Sequence, residues 1–137
     1  MKKSILYFAL LFLISCTEKN TTTGAKTSAE KVVDLQLEYY NKNQLDLFCS
    51  TYADDIVLTE LTTGEVLVSG KEELYKKYEY RFNVQKVHAN IVNRIVMDNV
   101  VIDHEEVTGI KENEVVKAVA IYEVEDQLIK KVTFVFE

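Results

Sequence analysis

The chain has 137 residues, of which 47% are hydrophobic, and a formal net charge of -6. That length holds one domain with a single core. An acidic chain without a basic stripe repels nucleic acid and anionic headgroups, so no nucleic-acid partner is expected. There is no proline, and the two cysteines are Cys16 and Cys49.

Lys2 and Lys3 precede an apolar run over residues 5–14. Basic flank, short apolar core and a small residue before a cut site make an export signal. The run is too short to span a bilayer, which takes roughly 20 apolar residues. It ends in Leu13-Ile14-Ser15-Cys16, which resembles the lipobox of bacterial lipoproteins. The resemblance implies cleavage after residue 15, lipid on Cys16, and an exported, membrane-anchored protein. More than one acyl chain makes such an anchor stable. Thr17 behind the cysteine favours the outer membrane by the same resemblance, with the facing, periplasmic or surface, left open.

Residues 16–26 comprise the lipidated cysteine and a small, polar tether, and the domain proper spans residues 27–137. Thr27 and Glu30 have the spacing of a capping box. Ala29, Val32, Val33, Gln36, Leu37 and Tyr40 follow at helical period. Asn41-Lys42-Asn43 closes that helix, and Asn43 is placed to cap a second one carrying Leu45, Phe48, Cys49 and Tyr52. Residues 56–61 and 66–68 read as strands about a turn at Thr62-Thr63-Gly64-Glu65. Ser69 and Glu72 suggest a second capping box, opening a third helix through about Phe82.

From Val84 the period becomes two, with Val87, Ala89, Ile91, Ile95 and Met97 alternating with polar residues. Asp98-Asn99 is a tight-turn pair. A two-residue loop sets Met97 against Val100, Ile95 against Ile102, Arg94 against Asp103 and Asn93 against His104. Opposite charges facing across a ladder support that register. Residues 114–123 and 128–136 supply two more strands, joined near Asp126-Gln127. The fold class is α+β: about three N-terminal helices on a curved, mainly antiparallel sheet of about six strands.

Three segments carry a second resemblance: Asn41-Lys42-Asn43-Gln44-Leu45-Asp46 with the run to Tyr52-Ala53-Asp54-Asp55, the glycine step Val68-Ser69-Gly70-Lys71-Glu72, and the closing hairpin from Tyr122 to Ile129. In order and spacing they resemble the nuclear-transport-factor-2-like superfamily, which includes ketosteroid isomerases and SnoaL-like proteins. The resemblance implies a cone-shaped fold with an apolar pocket at its open end, the default place for a ligand. It also implies a general base at Glu60, and it puts Gln36 and Ala120 where the isomerases hold two oxyanion donors. Without those donors steroid isomerisation loses its largest electrostatic term, so that activity is not expected.

Glu60 therefore stands as the candidate catalytic residue, and Gln36, Tyr40, Asn93, His104 and Tyr122 as candidate ligand-binding residues. A histidine moves protons near neutral pH, and tyrosines suit a pocket wall. His104 and Asn93 share a face with Ile95 and Ile102, which directs them into the cone; His88 falls on the other face. No third ligand accompanies the two histidines, so no metal or cofactor is expected. Cys49, on an apolar helix face, reads as inert packing. Three functions follow in order: a lipid-anchored binder of a small apolar or amphipathic ligand, an acid/base enzyme using Glu60, and a homodimeric interaction module. The last would use a mixed face bearing Val92, Val96, Val101, Arg94 and Asp103.

Overall fold

The computed structural model describes residues 25–137; the signal segment, Cys16 and most of the tether lie outside the described residues. Helix α1 (Ser28–Asn41) starts where Thr27 Oγ1 accepts from the Glu30 amide at 3.1 Å. Its inward stripe is Ala29, Val32, Val33, Gln36 and Tyr40. Helix α2 (Leu45–Ser50) does not begin on Asn43, which takes a left-handed φ of 52° one residue before the N-cap, Gln44. The two asparagines serve the sheet instead. Asn41 donates from Nδ2 to Ala89 O at 2.9 Å and accepts from Ala89 N at 2.7 Å, and Asn43 Nδ2 donates to Val87 O at 3.2 Å. Side-chain amides thus take backbone positions that an edge strand would otherwise leave open.

Strands β1 (Tyr52–Glu60) and β2 (Val66–Ser69) form the first hairpin. Helix α3 (Lys71–Tyr80) is capped by Gly70, whose φ of 90° favours glycine. The reciprocal carboxylate is Glu73, not Glu72, and it accepts from the Ser69 amide at 2.7 Å. The cap sits one residue later than the sequence pattern suggests, so the third helical residue moves with it. A single π turn, Arg81–Gln85, ends the helix on Lys86 at φ 56°.

Strands β3 (His88–Met97), β4 (Val100–Thr108), β5 (Val116–Glu125) and β6 (Leu128–Phe136) complete one sheet in the order β2-β1-β6-β5-β4-β3. Every neighbouring pair is antiparallel except β1 with β6, so the sheet is mixed. The β3–β4 pairing is the expected one at all four positions from Met97–Val100 to Asn93–His104. The faces are reversed, however. On β4 the buried residues are Val101, Asp103, Glu105 and Val107, while His104 is exposed. On β3, Ile95 is 50% and Met97 67% exposed. A bulge between Ile91 and Asn93 shifts the alternation, so Ala89 before it and Arg94 after it both turn inward.

Charge satisfaction explains why the inner face takes the charged pair. Arg94 donates from Nε and Nη2 to the two carboxylate oxygens of Asp103, each at 2.6 Å, and from Nη1 to Asp34 on α1. The Asp103 side chain is 1% exposed and that of Arg94 16%. A two-point, charge-assisted pair of this kind can be buried where a lone charge cannot. The mixed outer face that would carry Val101 and Asp103 therefore does not exist, because both are in the core.

Beneath the sheet, Phe48 lies 4.6 Å from Tyr78, 5.0 Å from Tyr52 and 5.1 Å from Phe82 between ring centroids. Cys49 is buried beside them, and burial pushes its thiol up to about 11. Among the described residues no helix is long and apolar enough to cross a membrane.

Removing one partner of a buried pair strands the other charge, at about 3–5 kcal/mol. Arg94→Met should lower unfolding stability by that amount in urea titration. Arg94→Met with Asp103→Leu should recover most of it, since replacing both ions by apolar groups is often neutral.

Candidate functional site

Between α1, α3 and the ends of β4, β5 and β6 the core is not filled. The hollow offers about 70 Å³ to the centres of water-sized spheres. One water needs roughly 10–15 Å³ on that measure, so the space holds several waters or one small organic molecule. Leu37, Leu58, Leu67, Val107, Val116 and Phe134 give it apolar walls. Four tyrosines, Tyr40, Tyr52, Tyr78 and Tyr122, line it as well, with Gln36, Lys77, Arg81 and Glu105 as its other polar groups.

Glu105 is the unusual member. It is 8% exposed, on the inward face of β4, and the hydrogen bond reaching its carboxyl among the described residues comes from Tyr122 Oη to Oε1 at 2.9 Å. Burial raises the carboxyl to about 7, against a smaller downward pull from Tyr122. Burial likewise pushes up the phenols of Tyr122 and Tyr52, the latter opposed by the adjoining Gln36 amide. Near neutral pH the hollow therefore contains a carboxyl that can give or take a proton, ringed by neutral hydroxyls.

The structure brings Gln36, Tyr40 and Tyr122 together in this hollow and leaves Glu60, Asn93 and His104 out of it. Asn93 and His104 face away because the Arg94–Asp103 pair claims the inner face. Glu60, at the end of β1, is bound to its own turn. Oε1 accepts from Thr62 N at 3.0 Å and Thr62 Oγ1 at 2.6 Å; Oε2 accepts from Thr63 N and Thr63 Oγ1, each at 2.6 Å. Those hydrogen bonds, the two hydroxyls first, hold its carboxyl down to about 2. A carboxylate so satisfied is a poor base at neutral pH. Cys16 lies outside the described residues.

Glu105 and Arg81 are the residues that sequence reasoning missed. The signal for Glu105 was present: it is two residues from Asp103, so any reading that turns Asp103 inward turns Glu105 inward too. Among the described residues no three His, Cys, Asp or Glu side chains cluster to hold a metal ion.

Three helices against one face of a mixed six-stranded sheet, with a hollow at one end, define the nuclear-transport-factor-2-like fold. The SnoaL-like domain matches residues 33–132, and the chain belongs to that family. Solved structures agree on the fold. An NTF2-like protein of unknown function from Cytophaga hutchinsonii is 13% identical, with a TM-score of 0.67 over 84% of this chain and 94% of its own. An uncharacterised cystatin-fold protein from Novosphingobium aromaticivorans is 22% identical, with a TM-score of 0.69 over 80% and 98%. An LEH-like epoxide hydrolase from M. tuberculosis is 16% identical, with a TM-score of 0.68 over 80% and 83%. No curated protein matches the chain.

A carboxyl raised in the folded state from the ordinary 4.5 to about 7 adds stability that is full below pH 4.5 and lost as pH rises through 7. The amount is about 3 kcal/mol. Denaturant titrations at pH 5 and pH 8 should therefore show a loss in the wild type that is smaller by about that amount in Glu105→Gln. Tyr122→Phe removes the hydrogen bond that favours the charged form, so the Glu105 midpoint followed by carboxyl carbon NMR should move higher still.

Proposed function

We propose that the domain binds one small, largely apolar molecule in the hollow, where Glu105 and Tyr122 offer a contact to a polar group of that molecule. The observation that carries this reading is a hollow with mostly apolar walls and a single raised-pKa carboxyl, Glu105, whose second oxygen receives no hydrogen bond among the described residues. Concave sites with apolar walls and a few converging polar groups are the usual small-molecule sites. The volume supports a one-ring or short-chain ligand over a four-ring one.

We further propose that the mature chain is exported and anchored by lipid on Cys16, most readily in an outer membrane. The lipobox resemblance supports this. An alkyne-tagged palmitate should label the wild type in cells and leave Cys16→Ser unlabelled. Equal labelling of both would remove the anchor.

A second reading, acid/base chemistry, is favoured by one feature. A group near pH 7 is matched to proton transfer at neutral pH, and here that group is Glu105 and not Glu60. Binding ranks first because Gln36 and Ala120 stand where the resemblance puts the two oxyanion donors of the isomerases.

The test is a thermal-shift screen with one-ring and short-chain compounds on wild type, Glu105→Gln and Glu60→Gln. A ligand at 100 times its dissociation constant adds about 2.7 kcal/mol, worth several degrees in a domain of this size. The hit should shift the wild type and Glu60→Gln alike and Glu105→Gln by a different amount. A shift that changes only in Glu60→Gln would return the site to β1, and no shift across the panel would remove the binding reading.

A further inference from the structure

The chain has two arginines. Arg94 is clamped by Asp103 and Asp34. Arg81 meets no carboxylate among the described residues, although the chain carries 22 acidic side chains. It stands at the π turn that ends α3, half-buried, on the wall of the hollow. Its guanidinium lies over the Tyr78 ring, 5.1 Å from the centroid, and its charge pulls down on the phenols of both Tyr40 and Tyr78 against the upward push of burial. The Tyr78 ring therefore holds the guanidinium beside the hollow, with the Tyr40 hydroxyl near one of its donors and no carboxylate on the fork among the described residues. π turns recur at functional sites because they re-aim side chains out of the helical stripe. Phe82, the next residue, is wholly buried in the aromatic core, which fixes the turn.

A planar fork with five donors, oriented by stacking and left without an anion, is suited to a carboxylate. The other cation on the wall, Lys77, already donates to Leu67 O at 3.3 Å. The acid within the hollow does not oppose an incoming anion while it is protonated, and burial favours that form. A ring of tyrosines around a carboxyl could also suit an amine, but that carboxyl already accepts from Tyr122 while Arg81 would repel the cation.

On the reading that the hollow binds a small molecule, we propose that its ligand is a carboxylic acid, a one-ring or short-chain one, held with its carboxylate on Arg81 and its apolar body against Phe134, Leu58 and Val107. Any second polar group of the ligand meets Glu105 and Tyr122.

The experiment is isothermal titration of the full-length chain in lipid nanodiscs with benzoate, benzamide and benzylamine, repeated with hexanoate and hexanamide. Each set keeps the apolar body and changes the charge. Wild type should bind at least one carboxylate about tenfold or more tighter than its amide, the worth of a charge-assisted contact. Arg81→Gln should bring that carboxylate down to the level of its amide, with amide binding and far-UV dichroism unchanged; Lys77→Gln should keep the preference. Amide or amine binding as tight as carboxylate would overturn the proposal and leave the small-molecule reading in place. A preference lost in Lys77→Gln and kept in Arg81→Gln would overturn the assignment to Arg81. If none of the five binds while other neutral compounds shift the melting point, the carboxylate proposal alone falls. If nothing binds, both fall together.

Discussion

The Arg94–Asp103 pair fixes which side of β4 is the inside. Side chains alternate strictly along a strand, so one position decides the whole row. With Asp103 inward, Val101, Glu105 and Val107 follow, and Ile102 and His104 are turned out. Asp34 reaches the same guanidinium from α1, which fixes where that helix crosses the sheet. Asn41 and Asn43 pin the other end of the helix to the start of β3. The hollow is what remains between a helix held at two points and a strand whose phase is set by charge. A buried ion pair contributes little net stability. Here its effect is on register and facing, and through them on where Glu105 points.

Two glutamates show how environment divides one side chain into two roles. Glu60 receives four hydrogen bonds from two threonines and is held ionised; its work is to close the β1–β2 turn. Glu105 receives one hydrogen bond in apolar surroundings and is pushed towards neutrality. Position on the first strand, the basis for choosing Glu60, says nothing about this difference. Solvation does: a carboxylate that is already satisfied has no proton affinity to spare at pH 7, and one deprived of water does.

Much of the architecture could be read directly from the residues. The Thr27 cap, the β3–β4 register and the two-residue turns at Asp98 and Asp126 are local signals, and local signals survive folding. The third helix and the succession of strands along the chain followed from periodicity, and the curved sheet from the family resemblance. The facing of β3 and β4 did not, for a physical reason. Ile95 and Met97 looked like core and Arg94 like surface, and on single-residue hydrophobicity that is the better guess. A bulge at Val92 and a pairwise interaction overrode it, and neither is a property of one residue. The candidate site was split along the same line. Gln36, Tyr40 and Tyr122, chosen from α1 and β5, do line the hollow, whereas Asn93 and His104, chosen from the reversed face, do not. Arg81 escaped notice because a π turn breaks the helical stripe by which inward residues are recognised.

The size of the hollow is a choice of side chains and not of fold. Tyr40, Phe48, Tyr52, Tyr78 and Phe82 occupy most of the space under the sheet, in tilted and edge contacts that leave little room between rings. Smaller residues at Tyr40 or Tyr78 would deepen the same cone without moving a strand. Tyrosine at these positions also has a different effect from phenylalanine: Tyr40, Tyr52, Tyr78 and Tyr122 all reach the wall of the hollow, while Phe48 and Phe82 do not. Under the helices the hydroxyl-bearing rings stand at the edge of the space with Phe48 and Phe82 behind them, while Phe134 and Phe136 line it from β6. A buried hydroxyl without a partner costs about 1–3 kcal/mol, and these rings meet that demand locally: Tyr122 donates to Glu105, and Tyr52 adjoins the Gln36 amide. The hydroxyls thus tie α1 to β1 and β4 to β5 around the hollow, and so fix where its polar groups stand.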